Sequence, residues 1–161
     1  MSVFEYNFEQ YKSLSPDLYR KEKYNLQVEL LKLQEDVIKK KRKIAICFEG
    51  RDTAGKSSTI NFFSEHLIPS NFNYVHLGIP TKKERKNWFE RYETYLPNKG
   101  QIVLFDRSWY TRALTEPTLG YCSKKQYEEF MTKVNKWEKS LVKKGTELVK
   151  FYFSIDKDQQ K

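Results

Sequence analysis

Short apolar runs and longer segments of helical periodicity alternate along most of the chain. The runs that we predict to be strands cover 44–49, 73–77, 101–105 and 147–155. Between them, apolar residues recur three or four positions apart, which is the spacing of one helix face. Strands that alternate with helices form a parallel sheet with helices on both faces. The pattern therefore predicts an α/β fold of three layers.

Capping signals bound the helices of this pattern. Ser15-Pro16-Asp17 supplies an N-cap and a first-turn proline for a helix that runs to about Lys41. Thr81 and Ser123 each precede a Glu or Gln by three residues, so we expect both to open helices through capping boxes. A further helix is expected over 55–67. The faces expected to pack on the sheet comprise Leu26, Leu30, Leu33 and Val37 in the first helix, and Tyr127, Phe130, Val134, Trp137 and Leu141 in the last.

The chain divides into two predicted regions. Residues 1–43 form an N-terminal extension and a helix that packs on the core, and residues 44–161 form the α/β domain. Within that domain Pro117 and Gly120 interrupt the periodicity, so we expect a lid over about 114–126 that closes over substrate. Because the predicted strands make a small sheet of this kind, we also expect that a C-terminal part is missing.

The first predicted strand leads directly into a phosphate-binding motif. The pattern GxxxxGK[ST] is filled by Gly50, Gly55, Lys56 and Ser57. Glycines allow a tight turn whose backbone N–H groups, with the N-terminus of the next helix, converge on phosphate oxygens. Lys56 adds a positive charge that reaches the phosphate being transferred. The phosphate-binding candidates at this loop are Gly50, Arg51, Thr53, Ala54, Gly55, Lys56, Ser57 and Ser58.

Three oxygen-bearing residues are candidates for a metal site. Ser57 offers a hydroxyl to Mg²⁺, an ion that prefers oxygen ligands and the phosphates themselves. Asp106 follows the third apolar strand, where a second Mg²⁺ anchor is expected beside a phosphate loop. Asp52 lies inside a loop that attracts anions, so we expect a cation, Mg²⁺ or Mn²⁺, between it and the phosphates. The alternative for Asp52 is a structural role as the N-cap of the helix.

Two arginines follow the third strand within two turns of the chain. Arg107 and Arg112 stand next to the predicted metal and phosphate site, where a guanidinium can neutralise charge on the transferring group. A structural salt bridge is the alternative for each of them.

The charge of the whole chain favours a polyanionic partner. With 30 basic and 21 acidic residues the net charge is +9, which leaves nucleic acid, an anionic membrane and a phosphate-rich substrate open. Lys82 and Lys83 are further phosphate-binding candidates, unless they belong to a solvated face. The basic run 39–43 either complements the dipole of the helix that it ends or contacts a polyanion.

The location and redox state follow from absences in the sequence. No apolar run approaches the roughly 20 residues that span a bilayer, and the N-terminus lacks the regions of a signal peptide. We therefore expect a cytoplasmic protein with no membrane partner. Cys47 and Cys122 are expected to be reduced thiols, since no CxxC motif or suitably spaced histidine accompanies them.

Three segments taken together resemble a known family. They read Phe-Glu-Gly-Arg-Asp-Thr-Ala-Gly-Lys at 48–56, Leu-Phe-Asp-Arg-Ser-Trp-Tyr-Thr-Arg-Ala at 104–113, and Gly-Tyr-Cys at 120–122. This combination resembles the family-2 polyphosphate kinases, in register from about Lys43 to Gln160. The resemblance implies a P-loop kinase-like fold with a lid. It also implies Mg²⁺-dependent phosphoryl transfer between inorganic polyphosphate and a nucleoside mono- or diphosphate.

The resemblance further implies site residues and an assembly. The residues that match the family's site by position are Asp52, Lys56, Asp106, Arg107 and Arg112. A homo-oligomer is implied, and nucleic acid is not implied as a partner. The family usually has glycine where this chain has Ser57 and Ser58, so the Mg²⁺ role of Ser57 comes from the general P-loop pattern. Family members also continue past the position of Lys161.

Two other functions fit parts of the pattern. An ATP-dependent nucleoside or nucleotide kinase would use the same fold and the same loop. A nucleotide-dependent switch or a nucleic-acid-binding module would fit the charge and the Trp and Tyr residues near lysines. Against a GTPase-type switch, glycine does not follow Asp106 three residues on, and the NKxD-like run 135–138 lies inside a predicted helix.

Overall fold

The structure is a computed structural model that describes residues 14–156. Strands and helices alternate through this range as the sequence predicts. The strands are β1 (Lys43–Gly50), β2 (Phe72–Val75), β3 (Gln101–Asp106) and β4 (Thr146–Phe153). The α-helices are α1 (Pro16–Lys40), α2 (Lys56–Ser64), α3 (Lys82–Lys86), α4 (Glu90–Glu93), α5 (Thr115–Thr118) and α6 (Lys124–Lys143). Short 3₁₀ helices cover Pro69–Asn71 and Trp109–Arg112.

The four predicted strands are confirmed, with ends that shift by one or two residues. They form a parallel sheet in the order β2-β3-β1-β4. At the amino-terminal end of the register, Lys43 of the central strand β1 lies opposite both Gln101 of β3 and Thr146 of β4. Strands β1 and β3 are buried over nearly their whole length, which explains why their sequences are almost continuously apolar. This order places the carboxyl ends of β1 and β3 side by side.

One side of the sheet, the α1/α2 face, is covered by helices α1 and α2. Its buried cluster is entirely apolar and comprises Val37, Ile44, Ile46, Phe48, Ile60, Ile102 and Leu104. At its centre the ring of Phe48 contacts those of Phe63, Phe151 and Phe153, at centroid distances of 5.6, 5.5 and 6.3 Å. Phe63 comes from α2 and the other two from β4, so this face joins the helix that follows the loop to the edge of the sheet.

The other side, the α6 face, is covered by α6, α4 and the 3₁₀ helix Trp109–Arg112. Its buried cluster comprises Ala45, Cys47, Val75, Trp88, Tyr92, Val103, Phe105, Trp109, Phe130 and Val134. The predicted stripe of α6 packs in the core, with Phe130, Val134 and Leu141 buried. A carboxylate, that of Glu138, is buried on the same helix. Because helices cover both faces of the sheet, the predicted three-layer α/β fold is confirmed.

The helix start signals are also confirmed. Ser15 caps α1 by accepting a hydrogen bond from the N–H of Leu18, and Thr81 and Ser123 form complete capping boxes at α3 and α6. A polar contact that the sequence does not announce fixes α1 to the chain before β2. The buried amide of Gln34 donates to the carbonyl of Ile68 at 3.0 Å and accepts from its N–H at 2.7 Å. Within residues 14–156, no helix is long and apolar enough to cross a membrane.

Three predicted details of the helices are wrong. Leu26 of α1 is 64% exposed and does not pack on the sheet. The helix expected over 55–67 ends at Ser64. The single helix expected from Thr81 is divided into α3 and α4, because Trp88 turns inward between them and donates its indole N–H to the carbonyl of Trp109 at 2.9 Å.

Candidate active site

The segment that carries the GxxxxGK[ST] motif, residues 50–57, is called the phosphate loop here. It leaves the carboxyl end of β1 and leads into α2, as predicted. Gly50 has φ +135°, and a Cβ there would lie 2.3 Å from the carbonyl oxygen of Phe153, so both the backbone angle and the approach of β4 require glycine. Gly55, with φ 89°, is the N-cap residue of α2. The alternative that Asp52 caps this helix is therefore wrong.

Lys56 lies inside the loop with only 6% of its surface exposed. Its ammonium donates to the carbonyl oxygens of Gly50 at 3.1 Å and Arg51 at 2.6 Å. Burial lowers the pKa of Lys56, and the nearby Arg107 guanidinium lowers it further. The loop thus holds a desolvated cation at its centre, which strengthens its attraction for an anion.

Asp106 ends β3 and faces the start of α2. Its Oδ2 accepts hydrogen bonds from the Ser57 hydroxyl at 2.8 Å and from the Tyr74 hydroxyl at 2.9 Å, and the carboxylate is buried. His76 Nδ1 lies 3.7 Å from the same oxygen. Burial and the bond to Asp106 raise the pKa of Tyr74 to about 12. The structure therefore brings together Ser57 and Asp106, and adds Tyr74 and His76, which the sequence did not identify.

Arg107 joins the end of β3 to the phosphate loop. Its backbone has φ 63°, and its N–H donates to the carbonyl of Phe48 at 3.0 Å, so the chain turns sharply after Asp106. Its guanidinium donates to the Asp52 carboxylate and, at 3.2 Å, to the hydroxyl of Thr115. Asp52 itself is mostly exposed. The pair between Arg107 and Asp52 bridges two segments that are far apart in sequence.

Two cavities open beside this pair. The first has a volume of about 300 Å³ and is lined by Asp52, Thr53, Gly55, Lys56, Ser57, Ser58, His76, Asp106 and Arg107. The second, of about 420 Å³, is lined by Gly50, Arg51, Asp52, Arg107, Leu114, Thr115, Thr118, Leu119 and Tyr152. The first is lined by polar and charged residues and Gly55, while the second adds Leu114 and Leu119, which flank α5, and Tyr152 of β4. The first cavity can take phosphate groups, and the second offers apolar surface next to them.

Three predicted site residues lie elsewhere. Arg112 is 1% exposed, its guanidinium carbon lies 3.9 Å from the centre of the Trp88 ring, and its Nε lies 3.1 Å from a Glu116 oxygen. It does not line either cavity at the loop. Lys82 and Lys83, in the first turn of α3, are exposed and do not line these cavities either. Their functional roles stay predictions.

Two buried carboxylates support the segment that carries Arg107. Glu49 Oε1 accepts from the backbone N–H and the hydroxyl of Ser108, each at 2.6 Å, and burial raises the pKa of Glu49. Sequence reasoning missed this residue, although a charged residue in an apolar strand is a signal of a buried partner.

The second of these carboxylates, Glu138, reaches the same segment from α6. It accepts from the indole N–H of Trp109 and the hydroxyl of Tyr110, both at 2.9 Å, and from the Lys150 ammonium at 2.6 Å. Burial lowers the pKa of Lys150, but the hydrogen bonds to Glu138 and Tyr110 outweigh it, so the pKa is raised overall. The result is a closed hydrogen-bonded network beneath the turn after β3.

The donor set of the first cavity suits a hard cation. Within residues 14–156, no group of three or more His, Cys, Asp or Glu residues is arranged to hold a metal ion. Mg²⁺ differs from metals that need such a cage, since it takes most of its ligands from phosphates and water and only one or two from carboxylates. The Ser57 hydroxyl and Asp106 carboxylate, 2.8 Å apart, are oxygen donors of that kind, and Asp52 lines the same cavity.

Comparison with known proteins places these features in context. Residues 13–161 match the family described as Polyphosphate kinase 2 (PPK2). The chain is 46% identical over 143 residues to the GDP-polyphosphate phosphotransferase of Mycolicibacterium smegmatis, covering 88% of this chain and 50% of the relative. It is 44% identical over 148 residues to the ADP-polyphosphate phosphotransferase of Pseudomonas aeruginosa, covering 91% and 49%.

A solved structure agrees with this match. The structure of a proposed polyphosphate kinase 2 from Pseudomonas aeruginosa PA01 has a TM-score of 0.84 and 31% identity, covering 92% of this chain and 33% of that chain. The chain therefore spans about half the length of the curated relatives that it matches.

Proposed function

The chain belongs to the polyphosphate kinase 2 family, and from this premise we propose that the protein transfers phosphoryl groups between inorganic polyphosphate and a nucleoside mono- or diphosphate. The observation that carries the proposal is the approach of the Ser57 hydroxyl to the Asp106 carboxylate, 2.8 Å apart, beside the loop that holds Lys56. Oxygen donors for a cation and a desolvated ammonium then face one polar cavity, which is the arrangement that phosphoryl transfer requires.

In this proposal the loop binds and orients the phosphates. Backbone N–H groups at the start of α2 and the Lys56 ammonium attract phosphate oxygens. Phosphate oxygens would take the place of the loop carbonyls that now accept from Lys56. Arg107, fixed by its bonds to Asp52 and Thr115, is close enough to the cavity to neutralise charge on the group being transferred.

We propose Mg²⁺ as the cofactor, with Mn²⁺ as an alternative ion. Asp106, Ser57 and Asp52 are the residues that would hold it. When bound, such an ion neutralises the negative charge that builds up between phosphate oxygens. Tyr74 restrains the Asp106 carboxylate from the side of β2.

The acceptor is proposed only as a nucleotide, since the relatives differ in this respect. They are named for GDP, ADP and NDP. A catalytic role for Arg112, phosphate contacts by Lys82 and Lys83, a homo-oligomer and a cytoplasmic location remain predictions from the sequence and the family resemblance.

A donor assay on the full protein tests the proposal. Long-chain polyphosphate with AMP, ADP, GMP or GDP is compared with ATP plus nucleosides or nucleoside monophosphates, each with Mg²⁺. We expect phosphorylated nucleotide from polyphosphate, and the acceptor that reacts fastest identifies the preferred base and phosphorylation state. Transfer from ATP, with none from polyphosphate, would replace the proposal by an ordinary nucleotide kinase.

The metal assignment is tested by Asp106→Asn. This change keeps the size of the side chain and removes the charge, so we expect a loss of several kcal/mol of transition-state stabilisation, roughly a hundredfold or more in rate. Thermal unfolding of the variant checks that the fold is kept. Asp17→Asn, on the exposed first turn of α1, is the control and should transfer at the parent rate. A folded Asp106→Asn protein with full activity would exclude Asp106 as a metal ligand.

A further inference from the structure

Lysines stand at the amino-terminal ends of three neighbouring strands, β3, β1 and β4, at the end of the sheet opposite the phosphate loop. In the register, Lys43 of β1 lies between Gln101 of β3 and Thr146 of β4. Two residues before each of these partners stand Lys99 and Lys144. Neighbouring strands are about 4.8 Å apart, so residues close to these strand starts share one edge of the molecule. We call this set the basic edge; it comprises Lys41, Lys43, Lys99, Lys143 and Lys144.

Direct contacts hold these segments together. The N–H of Gly100, which follows Lys99, donates to the carbonyl of Arg42 at 2.8 Å. The ammonium of Lys43 donates to the carbonyl of Lys144 at 2.5 Å. The lysines therefore come from three distant parts of the sequence and are brought together by the fold. A run of basic residues at one helix end does not account for this arrangement.

The acidic residues at this edge are already paired with other cations. Arg42 binds both Asp36 and Glu147 at 2.6 Å, and Lys40 binds Asp36 at 2.6 Å. The hydrogen bond from Lys40, followed by that from Arg42, lowers the pKa of Asp36. The hydrogen bond from Arg42 lowers the pKa of Glu147. Both acids therefore stay ionised and occupied.

The charge of the basic edge is left uncompensated. In the described part of the chain, no acidic side chain forms an ion pair with any of its five lysines. Four of them are exposed, and Lys43 is half-buried. The negative ends of α1 and α6 lie nearby and favour cations at Lys41 and Lys143. The helix dipoles do not explain the lysine at position 99. Lys99 follows α4 by several residues and lies in a turn before β3.

We propose that the basic edge is a second anion-binding site, which holds a distal segment of the polyphosphate chain while one end of that chain occupies the phosphate loop. β1 spans eight residues, so the two sites are at least about 23 Å apart at ~3.3 Å per residue, and a chain that joins them over the surface must be longer than this. A long chain can therefore reach both sites, while a short one occupies the loop alone. The part of this inference that concerns the loop rests on the proposed function.

The chemistry of the edge favours bare phosphate over nucleic acid. Its segments, 39–43, 99–101 and 143–146, contain no aromatic residue, whereas single strands are held largely by bases that stack on aromatic rings. Its free cations are lysines, which act as point charges for phosphate, and its arginine is engaged by two carboxylates. Contact at two sites should raise the affinity for long chains without any stronger contact at the loop.

Equilibrium binding to polyphosphates of different length tests this site. In the full protein, the triple variant Lys41→Gln, Lys99→Gln, Lys144→Gln is compared with Lys21→Gln, Lys32→Gln, Lys136→Gln, which removes the same charge from exposed positions elsewhere on α1 and α6. We expect the edge variant to bind long polyphosphate on the order of tenfold more weakly, with a salt dependence reduced by about two to three released counterions. Its affinity for tripolyphosphate should match the parent, and the control should bind both as the parent does.

Three outcomes would overturn the inference. Equal weakening in the two triple variants would assign the effect to net charge. Unchanged binding of long polyphosphate by the edge variant would show that the basic edge does not bind this ligand. Loss of binding to a single-stranded oligonucleotide, with polyphosphate binding retained, would assign the edge to nucleic acid. Binding is measured without nucleotide or turnover, so an absence of phosphoryl transfer would count against the proposed function and leave this result standing.

Discussion

The two faces of the sheet are built from different interactions. On the α1/α2 face the buried cluster is apolar throughout, with Phe48 at the centre of a group of aromatic rings. On the α6 face, the buried carboxylate of Glu138 lies beside the apolar cluster and binds Trp109, Tyr110 and Lys150. Both faces adjoin the same central strand, so the difference does not follow from depth in the molecule.

The difference follows from what each face supports. The α1/α2 face anchors α2, a regular helix whose own backbone bonds set its direction. The α6 face supports the turn after β3, where Arg107 has a left-handed backbone and only a short 3₁₀ helix follows. Apolar packing is non-directional, whereas hydrogen bonds at 2.6 to 2.9 Å fix an orientation. We infer that buried charged hydrogen bonds, unlike the neutral pair between Gln34 and Ile68 on the other face, are concentrated where the site needs a defined turn.

Truncation of the apolar face should have the largest effect on stability. Phe48→Ala removes the ring at the centre of the cluster, and we expect a loss of about 3–5 kcal/mol in the free energy of unfolding, from lost burial and the cavity left behind. Denaturant unfolding measures it. Phe62→Ala, a ring on α2 that is 41% exposed, is the control and should cost less than about 1 kcal/mol. Similar losses in the two variants would show that the cluster is not a specific core.

Removing the charge of Glu138 should lower the stability by a smaller amount, and a second change at its partner Lys150 should restore part of it. Glu138→Gln keeps the shape but leaves the Lys150 ammonium without its counter-charge, and because Lys150 is partly exposed we expect a cost of about 2 kcal/mol. Adding Lys150→Met should recover part of this loss, since the unpaired charge is then gone. Glu128→Gln on the exposed side of α6 is the control. Strict additivity in the double-mutant cycle would contradict a coupled pair.

The smallest effect is a dependence on pH that arises at Glu49. Burial raises the pKa of Glu49 above its ordinary value of 4.5, although the hydrogen bonds from Ser108 oppose the rise. The folded state therefore keeps this proton to a higher pH than the unfolded chain. Its contribution to stability is present below the ordinary pKa and is lost as the pH rises through the folded pKa.

The measurement is the free energy of unfolding of the parent and of Glu49→Gln between pH 4 and pH 8. The variant lacks the titrating group, so we expect its stability relative to the parent to improve as the pH rises. Glu128→Gln provides the matched control on an exposed position. A difference between parent and Glu49→Gln that stays constant over this range would show that Glu49 does not titrate differently in the two states.

Local patterns predicted the regular parts of both faces and not the network. Strand positions, capping boxes and the apolar stripe of α6 are set by neighbours in sequence, and they were found. Glu138 was missed although it stands four residues after Val134 and three before Leu141, which places an acid on the buried stripe. Its partner Lys150 belongs to another element, and pairings of that kind depend on the tertiary structure.

The candidate site divides in the same way. The loop motif and the acid after β3 predict that Lys56, Ser57 and Asp106 lie together, and the structure brings them together, because a parallel sheet aligns the carboxyl ends of its central strands. Side-chain direction in the turn after β3 and in the short 3₁₀ helix that follows it has no such rule. Arg112 follows Arg107 by five residues, yet it points into the core against Trp88, and nothing in the local sequence distinguishes the two arginines.

The buried thiol of Cys47 can report how often the protein opens around its central strand. This thiol is fully buried on β1 under the α6 face, where burial raises its pKa, so it does not react while that face stays packed. Cys122, before α6, is partly exposed and serves as the reference. Under a large excess of alkylating reagent, each modification of Cys47 records a single opening of the α6 face over β1. The labelling rate therefore measures how often the layer over the central strand opens, in the folded protein and without denaturant.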